Sequence, residues 1–174
     1  ATASLAKDVP IVTSGSLSKN YLCPGWRVGW LIFSGNDIGG YKEGISKLLR
    51  ARLSGPHPQQ YGLIAALEGK QDHLGETVKK LRERRNYTYK RLNEIKNVGL
   101  VKPKGAFYAF PRIDLKIDSD EKFVIDFLRK ENVLIVHGSG FGNLEGNYFR
   151  TVFLPDIPIL EDAFNRLERF IKTY

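Results

Sequence analysis

The chain has 174 residues, 42% of them hydrophobic, 26% charged and 11% aromatic. That length makes one ordinary domain, or one and a smaller piece, and the apolar share suffices for a core, which excludes wholesale disorder. The net charge is +8, yet no apolar run approaches the ~20 residues needed to cross a bilayer, so no membrane partner is expected.

The first elements surround a polar stretch. Residues 9–13 and 28–33 are short apolar runs rich in β-branched side chains, and the Ser/Gly/Asn-rich residues 14–25 lie between them. The pattern reads as strand, functional loop, strand. Ile45, Leu48, Leu49 and Leu53 share one side of a helix that Gly55 and Pro56 stop. A second helix starts after Pro58 and ends near Gly69.

From residue 72 to 96, Leu74, Val78, Leu81, Leu92 and Ile95 keep one helical frame, which Arg85 and Thr88 interrupt. A helix of that length joins two bodies, and the interruption places their boundary near residue 85. Lys79, Lys80, Arg82, Arg84, Arg85, Lys90 and Arg91, interspersed with Glu76 and Glu83, concentrate the positive charge there. A solvated helix face accounts for them, and no nucleic-acid partner is expected.

Beyond the long helix the elements shorten. Residues 99–101 and 106–110 read as strands on either side of a turn at Pro103 and Gly105. Asp118 and Glu121 form a capping-box-like start to a helix carrying Phe123, Val124, Phe127 and Leu128. Residues 133–136 and 148–154 read as strands around a Gly-rich loop, 138–146. The last helix carries Ile159, Leu160, Ala163, Phe164, Leu167, Phe170 and Ile171 in one stripe, with Pro158 at its start and Glu161 and Asp162 in its first turn. Helices alternating with short strands make an α/β or α+β chain.

Ser14-Gly15-Ser16-Leu17-Ser18-Lys19, followed by Gly25-Trp26-Arg27-Val28-Gly29, carries the chemistry. The Ser16 and Ser18 hydroxyls and the Arg27 fork suit one oxyanion, and a guanidinium matches a phosphate better than an ammonium does. Gly25 and Gly29 let the backbone come close. Lys19, in the same loop, is the candidate nucleophile for a carbonyl on the molecule that the phosphate anchors. Each residue keeps a plainer reading. Ser16 and Ser18 also suit a turn, and Arg27 and Arg150 also suit structural ion pairs. Cys23 reads as a small loop or core residue, and Trp26 and Trp30 as packing residues on one face of the Arg27 strand. His57, His73 and His137 lack metal-ligand spacing, so no metal is expected. A lone Cys23 cannot form an internal disulfide, and residues 1–7 show no basic leader before a hydrophobic stretch. Both fit a cytoplasmic setting.

Ser-x-Ser-Lys with Gly-x-Arg-x-Gly downstream resembles the cofactor-lysine region of fold-type I aminotransferases, which use pyridoxal 5′-phosphate. The resemblance continues through residues 60–69, Lys104-Gly105-Ala106-Phe107-Tyr108, Val136-His137-Gly138-Ser139-Gly140-Phe141-Gly142 and Tyr148-Phe149-Arg150, in the family's order. It implies that Lys19 holds the cofactor through an imine and moves the proton on the substrate α-carbon. It further implies that Ser16, Ser18 and Arg27 bind the cofactor phosphate and that Arg150 binds the substrate α-carboxylate. The implied fold is the C-terminal part of the aminotransferase large domain, 1–85, joined by the long helix to an α+β small domain, 86–174. The implied reaction moves an amino group between an amino acid and a 2-oxo acid, in a homodimer. Gly25-Trp26-Arg27-Val28-Gly29-Trp30 looks most like tyrosine and alanine aminotransferases, which points to aromatic or alanine-like substrates.

Two departures qualify the resemblance. His137 stands where the family usually has proline. The aspartate, asparagine, tyrosine and stacking aromatic residue that meet the cofactor ring have no counterpart in these residues, so the chain is expected to be an inactive fragment with an unpaired sheet edge. A non-catalytic module that binds a phosphorylated ligand, or a lyase or synthase of the same fold, stays open as an alternative.

Overall fold

The structure, a computed structural model, describes residues 2–53, 55–142 and 145–174. Backbone packing divides the chain into two units, Ala1–Gly75 and Glu76–Tyr174.

In the first unit, strands β1 (Ile11–Ser16) and β2 (Gly29–Ser34) form an antiparallel pair in which Ser16 faces Gly29 and Ile11 faces Ser34. Among the described residues these strands pair only with each other. The segment between them is more ordered than a loop. Ser16 caps a single helical turn, α1 (Leu17–Asn20), by accepting a hydrogen bond from the Ser18 N–H at 3.1 Å, and a 3-10 turn follows at Pro24–Trp26. Helix α2 (Gly39–Ala51) begins six residues before the apolar stripe that announced it. Helix α3 (His57–Glu68) carries Pro58 in its first turn, where a missing N–H costs nothing. Trp26 belongs to the 3-10 turn and not to β2, so it does not share a strand face with Trp30. The two rings pack separately, each against a glycine: a Cβ at Gly62 would come within 2.4 Å of the Trp26 ring, and one at Gly15 within 2.4 Å of Trp30.

The second unit holds the core. Helix α4 (Asp72–Glu94) enters it, and Thr88 and Leu92 are its buried residues. Thr88 therefore packs inside, although its polarity breaks the apolar pattern. Short strands β3 (Val98–Gly99), β4 (Tyr108–Ala109), β5 (Arg112–Ile113) and β6 (Val136–His137) gather on β7 (Asn147–Val152) or its neighbour, all antiparallel, in the order β3-β5-β7-β4 with β6 also on β7. Residues 133–135 lie outside any strand, and β5 was not foreseen.

Helix α5 (Asp120–Glu131) is capped by Ser119, whose Oγ accepts from the Lys122 N–H at 3.2 Å, so the cap is one residue later than Asp118. Helix α6 (Ile157–Thr173) starts at Ile157, which moves Glu161 and Asp162 out of its first turn. Leu160, Phe164, Leu167, Phe170 and Ile171 are its buried stripe, while Ile159 is 61% exposed. That stripe packs with Leu92, Ile113, Phe123, Phe127 and Phe149 in one cluster, where Phe123 meets Phe170 edge-on at 5.3 Å. Several cations of α4 find partners in the same unit: Arg84 pairs with Asp156, and Arg91 with Glu168. Among the described residues no helix is long and apolar enough to cross a membrane.

Candidate functional site

The lysine segment is shaped by the β1–β2 hairpin. The Leu17 N–H donates to the Val28 carbonyl at 3.2 Å, so the pairing carries on past the last strand residues and lays the Ser16–Lys19 turn beside the residue after Arg27. Gly29 makes the close approach possible. A Cβ there would lie 2.5 Å from the Gly15 carbonyl oxygen and 3.2 Å from Ser16 Cβ. Gly25 has no such role, since a Cβ there meets open space. Leu17 is buried and anchors the turn, which leaves Ser16 and Ser18 half-buried and Lys19 exposed.

Arg27 has a left-handed backbone, φ 55°, and Nη1 donates to the Pro24 carbonyl at 2.7 Å. This is the only hydrogen bond of the Arg27 side chain among the described residues. Beside it is a hollow of about 470 Å³, lined also by Arg52, Gly55, Pro56, Gln60 and Leu63. Arg52 had not been singled out; only its place at the end of α2, next to the turn at Pro56, brings it to the same hollow. The Cys23 thiol is half-buried and donates to the Tyr21 carbonyl at 3.1 Å, as a loop residue would. Two hydroxyls, a guanidinium and an amine on one hairpin form a donor set that suits a phosphate ester bearing a carbonyl, so these residues fit the cofactor that the resemblance implies.

Arg150 belongs to the second unit and is built differently. It lies in the middle of β7, opposite Val136, and β4 brings Tyr108 opposite Val152, two residues further on. The guanidinium carbon lies 4.8 Å from the centre of the Tyr108 ring and 4.3 Å from that of Phe141. Two aromatic faces so hold a cation that has no carboxylate partner among the described residues. The cage is itself braced: Phe110 stacks on Tyr148 at 5.5 Å and meets Phe141 edge-on at 5.8 Å. Tyr108 and Phe141 were quoted only as parts of motifs, and nothing in their spacing announces a cage.

The turn bearing Phe141, Gly138–Phe141, rests on a buried carboxylate. Asp120 accepts from the Ser139 Oγ at 2.7 Å, the Ser139 N–H at 3.0 Å and the Tyr148 N–H at 3.3 Å. Burial pushes the Asp120 carboxyl up, but the Ser139 and Tyr148 bonds and the nearby His137 outweigh it and hold the group below the usual carboxylate range. The single Ser139 hydroxyl proton points to Asp120, so His137 Nδ1, 2.9 Å away, donates to the Ser139 oxygen. With the hydroxyl between the carboxylate and the imidazole, the imidazole cannot act as its base, and the trio is a clamp rather than a nucleophile. Among the described residues no group of His, Cys, Asp or Glu could hold a metal ion.

The family model for aminotransferases of class I and II matches residues 1–161. The chain is 42% identical to a glutamate-pyruvate aminotransferase, AlaA, of Haemophilus influenzae over 99% of its own length and 44% of that protein. It is 38% identical to an alanine aminotransferase of Mycobacterium tuberculosis, over 99% of this chain and 42% of that one. Among solved structures, an alanine aminotransferase from Pyrococcus furiosus matches with a TM-score of 0.95 and 47% identity, covering 100% of this chain and 45% of that chain. The chain thus spans less than half the length of the relatives it matches.

Proposed function

The chain belongs to the class I and II aminotransferases, and on that premise we propose that it supplies the cofactor lysine and the two anion-holding arginines of an enzyme moving an amino group between an amino acid and a 2-oxo acid. The observation that carries the reading is the Ser16–Lys19 turn closed against the strand after Arg27 by the bond from Leu17 to Val28. Ser16 and Arg27 hold the phosphate of pyridoxal 5′-phosphate, with Ser18 as a third donor. When bound, the cofactor supplies a carbonyl that condenses with amines and a pyridine ring that takes up the electron pair left on the α-carbon. The Lys19 Nζ carries the proton to and from that α-carbon. Arg150 grips the substrate carboxylate, a planar fork on a planar anion.

Of the aromatic and alanine-like substrates, alanine is favoured by the names of the relatives. Residues 1–85 as part of the cofactor-binding domain, residues 86–174 as the small domain, and a cytoplasmic homodimer belong to the same proposal. So does inactivity of the 174 residues on their own, which the short coverage of the relatives supports; turnover of alanine by the chain alone would refute that part.

The test is chemical trapping. The chain is incubated with pyridoxal 5′-phosphate, reduced with borohydride and digested, and the label is expected on Lys19. Lys19→Ala is expected to abolish that label. A wild-type chain that labels only at other lysines would overturn the assignment.

A further inference from the structure

Nothing in the motifs assigns a role to Asp120, yet it is 5% exposed and accepts three hydrogen bonds, all from residues that flank the Arg150 cage. Ser139 contributes two of those bonds and lies in the same 3-10 turn as Phe141. Tyr148 contributes the third, two residues before Arg150 on β7, and its ring stacks on Phe110, which in turn braces Phe141. Gly138 closes the arrangement: a Cβ there would lie 2.5 Å from Tyr148 Cβ, so the turn is pressed directly onto the strand. The carboxylate therefore ties the turn that carries one face of the cage to the strand that carries the guanidinium.

We propose that Asp120 is a positioning residue that sets the Arg150 guanidinium for carboxylate binding, acting through the Ser139–Phe141 turn and the Phe141 ring. An arginine free to swing loses rotamer entropy each time it binds an anion, whereas one held between two rings has lost it beforehand. A charged acceptor suits the task, because bonds to an ionised carboxylate are about twice as strong as those to a neutral acceptor. His137 adds to the clamp by donating to the Ser139 oxygen, which strengthens the hydroxyl as a donor to Asp120. The role of Arg150 in binding rests on the function proposed above; the clamp itself does not.

The test uses the 174-residue chain with labelled arginine, followed by NMR, with pyruvate as the probe. In the wild type, ring currents of Tyr108 and Phe141 are expected to displace the Arg150 side-chain protons upfield, and pyruvate to shift them further. Asp120→Ala is expected to remove at least half of the upfield displacement and to weaken pyruvate binding about tenfold, the loss appropriate to a charged hydrogen bond. Asp120→Asn, which keeps an acceptor oxygen, is expected to fall between the two. Methyl signals of Ile113 and Ile135 report that the core is intact. Should Asp120→Ala not fold, Ser139→Ala, which removes only a hydroxyl, carries the same expectations. Folded variants with wild-type Arg150 signals and wild-type pyruvate affinity would overturn the positioning role. A wild-type chain that binds pyruvate no better than Arg150→Ala would instead overturn the substrate-binding role of Arg150, and the ring-current displacement would still decide the role of Asp120.

Discussion

Asp120 shows how a residue with no motif comes to matter. Its carboxylate is ionised in the folded chain at lower pH than in the unfolded one, because the Ser139 and Tyr148 donors and His137 together outweigh the burial that opposes ionisation. A carboxyl with a depressed folded value contributes stability that is fully present above its unfolded value, about pH 4, and is lost as the pH falls through the lower folded value. The difference in thermal stability between wild type and Asp120→Asn is therefore expected to be constant from about pH 5 to 7 and to close below about pH 4. Melting curves across that range decide it, and a difference that does not close on acidification would show that the charge of Asp120 is not what stabilises the turn. Lys19, Ser16, Ser18 and Arg27 were readable at this scale because they lie within twelve residues of one another. Asp120, Tyr108 and Phe141 were not, because they meet only through strand pairing and the turn between β6 and β7.

At the scale of the element, the last helix is the most informative. Its stripe was plain in the sequence, but the stripe read there was wider than the one that is buried. Leu167 is 2% exposed and Ile159 is 61% exposed, although both belong to the same apolar run. Leu167→Ala is expected to cost about 2–5 kcal/mol by leaving a cavity in the core, and Ile159→Ala to stay within about 0.5 kcal/mol. Denaturant unfolding of the two variants measures the contrast; equal losses would mean that Ile159 is covered in solution. Helix starts were less legible than helix faces. Ser119 rather than Asp118 caps α5, since the backbone turns one residue later than the charge pattern suggests. Of the two-residue strands, β3, β4 and β6 overlap the runs read at 99–101, 106–110 and 133–136, each of them longer than the strand that forms, whereas β5 went unread because two residues are too few for alternation to show.

Across the whole molecule the core is unevenly shared. Among the described hydrophobic residues of the first unit only Leu17 and Val28 are buried, whereas the second unit holds a continuous cluster from Leu92 to Ile171. Val12, Leu31, Ile32, Leu48 and Leu49 of the first unit are exposed. Regions with few buried apolar contacts open first. Hydrogen exchange of the chain is therefore expected to release the amides of β1 and β2 well before those of β7 and α6. Equal protection in the two units would show that the hairpin is covered in solution, by a second copy or another chain.

The sequence alone determined the parts of this protein whose chemistry is local: the alternation of helices and strands, the lysine turn, the arginine eight residues after it and the family they resemble. Such features depend on residue type and spacing within a few turns of backbone, and both are written in the chain. The tertiary structure alone decided that Thr88 lies inside, that Trp26 leaves the strand, that Arg52 joins Arg27 at one hollow, and that Arg150 is caged by Tyr108 and Phe141 over a turn held by Asp120. Those outcomes depend on which distant segments pair, and pairing is set by the summed burial of the core rather than by any one stretch of residues.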